Sequence, residues 1–151
     1  MTNQETIQAF YTAFSKADAE AMEKLYHPEI EFEDPAFGKL KGEQAPMMWK
    51  MLTGHAGDNL KIEFKDVTGN SASWIATYLF GPKKRQVINH VQAKFEFKDG
   101  LIIKHIDTFD LHKWAKQALG FSGWLLGGTG FFKKKLNQKT QAQLKSYMAK
   151  Q

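Results

Sequence analysis

Cysteine is absent from all 151 residues, which excludes disulfides and zinc–thiolate centres and leaves the redox compartment open. Also absent is any apolar run of about 18 residues, so no membrane-spanning helix is expected. The first ten residues carry Gln4, Glu5 and Gln8 where a secretory signal needs a basic start and an apolar stretch, so a cytoplasmic location is the default expectation. Acidic residues are missing from the C-terminal part. They stop at Asp110, whereas eight of the 21 basic residues follow it. The net charge of +5 therefore divides into −3 over the first 110 residues and +8 over the last 41. A slightly acidic body with a basic tail is not the footprint of a nucleic-acid binder, and no nucleic-acid partner is expected. His27, His55, His90 and His112 share no metal-ligand spacing. Gly127, Gly128 and Gly130 ahead of Lys133 lack the preceding strand and the Gly-Lys-Ser/Thr of a phosphate loop. No metal and no cofactor are expected.

What is present suits one ordinary globular domain, with 42% hydrophobic and 25% charged residues. Thr2 and Glu5 make a capping-box pattern ahead of Ile7, Phe10, Tyr11 and Phe14 at helical spacing. Asp18 is the expected cap of a short second helix with Met22, Leu25 and Tyr26 on one face, stopped by Pro28. Residues 29–34 alternate as a short strand ended by Pro35, and residues 42–52 read as a third helix with Pro46 in its first turn. A meander follows: Leu60, Ile62 and Phe64, then Ser73 to Phe80, then Gln86 to Phe97, then Leu101 to Asp110, with turn signals at Gly69-Asn70 and Asp99-Gly100. Four strands near ten residues each, preceded by three helices, predict an α+β fold in which a curved antiparallel sheet and its helices form a cone-shaped pocket. The expected division is a cone domain over residues 1–118 and a Gly-rich segment with a basic amphipathic helix over residues 119–151.

Polar residues on apolar strand faces are the informative ones. Asn89 stands among Val87, Val91, Ala93 and Phe95, and in the last strand His105 and Asp107 share a face with Ile103 and Phe109. An acid and an imidazole on one apolar wall are what general acid–base chemistry requires. The alternatives are a structural His–Asp hydrogen bond, or Asp107 capping the final helix. For Asn89 the alternatives are a substrate contact and a bulge. For Asp34, before Pro35, they are an acid–base group and a turn former. Tyr11, Phe14, Trp49, Trp74, Tyr78 and Phe109 are candidates to line the pocket, set against ordinary core packing.

The strings IQAFYTAFSKADAEAMEKLYHPEIEFEDP and FEFKDGLIIKHIDTFD, with their separation, resemble the nuclear transport factor 2-like superfamily. Its members share a cone-shaped α+β fold and include ketosteroid isomerase, SnoaL-type polyketide cyclases, scytalone dehydratase and limonene epoxide hydrolase. The resemblance runs from Thr2 to about Ala118 and specifies the fold more closely than the activity. It matches Asp34 of Glu33-Asp34-Pro35 to the general base of the isomerases. The two oxyanion donors of those enzymes fall on Phe10 and Ala93, which donate no hydrogen bond. One such donor typically accounts for a factor of about 10² to 10³ in rate, so classical ketosteroid isomerase activity is not expected. SnoaL-like cyclases are more similar in the last strand, where an acid–base Asp and a neighbouring His match Asp107 and His105. Similarity of FEFKDGLIIKHIDTFD and of Trp124 to Gly127 to a further group of relatives implies a subfamily without a settled activity.

The expectation is thus a small-molecule pocket protein of acid–base type, with cyclase, isomerase, dehydratase or hydrolase chemistry on an apolar, oxygenated compound. Asp107, His105 and Asp34 are its candidate catalytic groups, and Asn89, Tyr11, Phe14, Trp49, Trp74, Tyr78 and Phe109 its substrate contacts. The alternative is a non-catalytic binding module with the same cavity. His105, Asp107 and Asn89 are expected to converge within about 8 Å, as inward residues of neighbouring strands can. A homodimer is expected through the outer sheet face. The tail stripe of Phe132, Leu136, Thr140, Leu144, Tyr147 and Met148 is expected to cover the cone mouth or a partner subunit rather than a membrane.

Overall fold

A computed structural model describes residues 1–56 and 59–151. Two helices open the chain, α1 (Asn3–Ser15) and α2 (Ala19–Lys24). The Thr2–Glu5 capping box is formed in both directions, and the Asp18 side chain accepts from the Ala21 amide. Helix α1 turns Ile7, Phe10, Tyr11 and Phe14 inward, as its apolar spacing requires.

Six strands form one sheet in the order β2-β1-β6-β5-β4-β3. They are β1 (Tyr26–Asp34), β2 (Gly38–Lys41), β3 (Lys61–Lys65), β4 (Ser71–Phe80), β5 (Arg85–Lys98) and β6 (Leu101–Thr108). All neighbours are antiparallel except β1 and β6, which run parallel. Helix α3 (Gln44–Ala56) packs with α1 and α2 over the concave face.

The second helix ends at Lys24, and Tyr26 opens a nine-residue strand instead of closing that helix. Pro28 lies where the β1–β6 register shifts, the position at which a strand tolerates a residue with no N–H to donate. The four-residue β2 was not anticipated, and β3, at five residues, is half the expected length. An extra residue at Ile103 shifts the β5–β6 register, so Ile102 is buried in the core rather than on the outer face.

The tail folds back. Helix α4 (Leu111–Leu119) is capped by Asp110, whose carboxylate accepts from the Lys113 amide, so Asp107 is not that cap. Helix α5 (Phe121–Leu126) and α6 (Gly130–Ala149) follow. Helix α6 buries Leu144 and packs Tyr147 and Met148 against the main core. Thr140, which interrupts the apolar stripe, donates to the Ala36 carbonyl, and Asn137 donates to Pro35 and Ala36. The interruption is therefore the docking point. Gly38 permits it, because a Cβ there would stand 2.9 Å from the Asn137 side-chain oxygen, and its φ of +73° suits glycine.

Candidate functional site

Period-two alternation along β6 turns both His105 and Asp107 inward, 0% and 3% exposed. His105 lies opposite Phe95 on β5 and beside Phe32 on β1, and Asp107 lies opposite Ala93. Continuing the parallel register by one step sets Asp34, at the end of β1, beside Asp107 on the same face.

A directional chain of hydrogen bonds ends on Asp107. Trp49 Nε1 donates to the Tyr26 hydroxyl over 2.9 Å, and that oxygen lies 2.8 Å from His105 Nδ1. With the imidazole's Nε2–H given to the Asp107 carboxylate, the Nδ1 of that tautomer accepts the phenol proton. Nε2–H of the imidazole then donates to Asp107 Oδ1 over 2.9 Å, an assignment set by the network. Trp74 Nε1 donates to the same Oδ1 from 3.3 Å. This saturates one carboxylate oxygen and fixes the plane of the carboxylate. The other oxygen, Asp107 Oδ2, is buried with no partner among the described residues, and so is the hydroxyl of Tyr11. Buried polar atoms are rarely left in that state, and here one is an acceptor and the other a donor.

Asp34 turns its Oδ1 back onto the amides of Ala36 and Phe37, at 2.9 and 2.6 Å. That oxygen closes the turn after Pro35. Burial nevertheless pushes the Asp34 carboxyl up to about 7, with the Asp107 and Glu33 charges adding and the two amides opposing. Burial likewise raises Tyr11 and Tyr26 well above the usual phenol range, and in both the Asp107 charge adds to the rise. Asp107 thus acts electrostatically on Asp34, Tyr11 and Tyr26 alike.

The centre of the cone is packed. Rings of Phe95, Phe32, Phe10 and Trp49 surround His105 with centroids 4.4 to 6.2 Å away. Phe14 wedges against Trp49 and Trp74 at 4.9 and 5.3 Å. The half-buried residues Asp34, Tyr78, Asn89 and Phe109 mark the more open end, where Trp114 of α4 donates to the Tyr78 hydroxyl over 2.7 Å. Asn89 does not join His105 and Asp107. It sits four residues along β5 from Ala93, the partner of Asp107, or about 13 Å at the usual strand rise. It is also not at the β5–β6 irregularity, which falls at Glu96 and Phe97. Two surface depressions lie elsewhere, one between α1 and α2 and one between Arg85 and α4. Among the described residues no cluster of three or more His, Asp or Glu side chains could hold a metal.

Tyr26 is the site residue that sequence reasoning missed, because it was read as the end of α2. Its one signal is alternation: Tyr26, Ile30 and Phe32 are all inward and an even number of residues apart.

Residues 7–105 match the SnoaL-like domain family, and the chain belongs to that family. No curated protein matches the sequence. Among solved structures, Bal32a from a soil-derived mobile gene cassette is similar at 22% identity and a TM-score of 0.63, covering 77% of this chain and 95% of that one. A Xanthomonas campestris pv. campestris protein proposed to be a polyketide cyclase is similar at 17% identity and a TM-score of 0.61, covering 77% and 96%. SalBIII, described as an epoxide hydrolase/cyclase-like enzyme in pyran ring formation in the polyether salinomycin, is similar at 14% and 0.62, covering 74% and 92%. These likenesses establish the cone fold, here with an unclosed sheet and a C-terminal helix laid on it. Among the described residues no helix is long and apolar enough to cross a membrane.

Proposed function

We propose that the chain is an acid–base enzyme acting on a small, largely apolar, oxygenated compound. The observation that carries this reading is the asymmetry of Asp107: one oxygen is held by His105 and Trp74, and the other is buried and unpartnered. A base positioned in this way takes a proton from substrate carbon or oxygen at Oδ2 while His105 holds its orientation. The negative charge left on a substrate oxygen needs a donor, and the free Tyr11 hydroxyl supplies one. Asp34, with a carboxyl poised near 7, serves as the second acid–base group towards the open end. Asn89 reaches only a distant part of the ligand. The resemblance matches Phe10 and Ala93 to the ketosteroid isomerase oxyanion donors, so steroid isomerisation is not part of the proposal. The epoxide hydrolase/cyclase-like description of SalBIII is in keeping with proton transfer at oxygenated carbon.

The packed rings around His105 favour a second reading, a binding module in which the same groups only orient a ligand. Deuterium uptake from D2O at the α-carbon of apolar ketones, followed by NMR, separates the two. The enzyme reading expects exchange that falls about 10²- to 10⁴-fold in Asp107→Asn with the fold retained. Ketone binding with no exchange in the unmodified protein supports the module and contradicts the enzyme.

A further inference from the structure

Helix α5 is built inside out. Its small residues face the body: a Cβ on Gly123 would lie 1.9 Å from the Ala115 carbonyl oxygen, and one on Gly127 would lie 2.5 Å from the Ala115 Cβ. The His112 imidazole also binds the Trp124 carbonyl, pinning the helix to α4. Its large residues face out. Phe121 is 74% exposed and Trp124 50%, with Leu125, Leu126 and Phe131 similarly open. A helix that buries glycine and displays phenylalanine, tryptophan and leucine inverts the ordinary amphipathic arrangement, and contiguous exposed apolar side chains mark an interaction surface.

Charge identifies the partner. The exposed lysines 116, 133, 134 and 135 bracket this ridge in the chain, and Lys135 lies 5.6 Å above the Phe131 ring. No acidic residue follows Asp110. Two copies meeting ridge to ridge would bring two lysine rims together, so self-association is disfavoured. We propose that α5 and the first turn of α6 form a peripheral membrane contact: the ridge enters the interface of an anionic bilayer and the lysines meet its headgroups. Tryptophan favours that interfacial depth, and a protruding apolar ridge with a basic rim combines the two terms that drive interfacial binding. The α6 stripe is not this contact, since its Leu144, Tyr147 and Met148 are already packed on the body.

The test is sedimentation of the full chain with phosphatidylcholine vesicles, with and without phosphatidylglycerol. Three of the four tryptophans, Trp49, Trp74 and Trp114, are buried, so a blue shift of emission on vesicle binding reports Trp124. Binding should need the anionic lipid and weaken with salt. Reversing Lys133, Lys134 and Lys135 to Glu should lower it on the order of 100-fold or more. Leu125→Ser with Leu126→Ser, which keeps the Trp124 reporter, should lower sedimentation with the vesicles and abolish the blue shift while circular dichroism is unchanged. The proposal is overturned if the unmodified protein ignores anionic vesicles, or if both variants bind as it does. It is equally overturned if the double serine variant changes only the oligomeric state, which would make the ridge a protein contact.

Discussion

Two phenols share one core and should respond oppositely to the loss of a single oxygen. Tyr26 and Tyr11 are 5% and 0% exposed. The Tyr26 hydroxyl joins Trp49 Nε1 to His105 Nδ1; the Tyr11 hydroxyl has no partner among the described residues. Tyr26→Phe leaves an indole N–H and an imidazole nitrogen buried without partners. Each such orphan costs about 1–3 kcal/mol, so a loss of about 2–4 kcal/mol in unfolding free energy is expected after local adjustment. Tyr11→Phe removes a hydroxyl that was desolvated on folding with nothing in return, and should be neutral or stabilising by about 1 kcal/mol. Urea unfolding of the two variants, with equal m-values as the check on comparability, should show them separated by about 3 kcal/mol. Equal destabilisation would refute the hydrogen-bond assignment, and a destabilising Tyr11→Phe would show that its hydroxyl has a partner. If Tyr11 serves a ligand, the stabler variant should also be the less active one, the familiar opposition of stability and function.

Asp34 gives a pH prediction. Its carboxyl is raised from 3.8 to about 7, so between those values the folded state holds a proton that the unfolded state has released. Stability from this group is complete below about pH 4 and is lost as the pH rises through 7, by up to about 4 kcal/mol. Asp34→Asn, which keeps an acceptor for Ala36 and Phe37, should remove that slope in urea melts between pH 5 and 8. Leu144→Ala should cost about 2–4 kcal/mol and expose the Ala36 end of the β1–β2 turn to faster amide exchange, because Leu144 helps hold α6 down. On the outer sheet face Ile75, Leu79, Ile88 and Ile106 remain at least partly open, and we propose a homodimer there; Ile106→Glu should convert a sedimenting dimer to monomer, and a single species at 17.2 kDa in the unmodified protein would refute it.

The long elements were legible because their patterns are long. Alternation over Ser73 to Phe80 and over Gln86 to Phe97 could be satisfied only by strands, and the same pattern over Leu101 to Asp110 placed His105 and Asp107 inward. The four residues of β2, two of them lysine, carry no comparable pattern, since pairing with β1 rather than burial makes them a strand. Tyr26 was lost because Pro28 reads as a stop, whereas the register shift after it lets the strand continue. Asn89 shows a different limit. Alternation reports the face of a strand and not the depth along it, and depth follows only by counting pairs from the Asp99-Gly100 turn, which puts Asn89 well beyond Asp107. The Tyr11 and Asp107 orphans were not legible at all, because an unpaired atom exists only once every neighbour is placed.

Acid–base work at Asp107 requires its carboxylate to be charged inside the cone beside Asp34, and the direct measurement is the titration of the Asp34 carboxyl carbon by NMR, in the unmodified protein and in Asp107→Asn. A midpoint near 7 that falls when the Asp107 charge is removed is the predicted result. An ordinary carboxylate midpoint near 4, unmoved by Asp107→Asn, would contradict it.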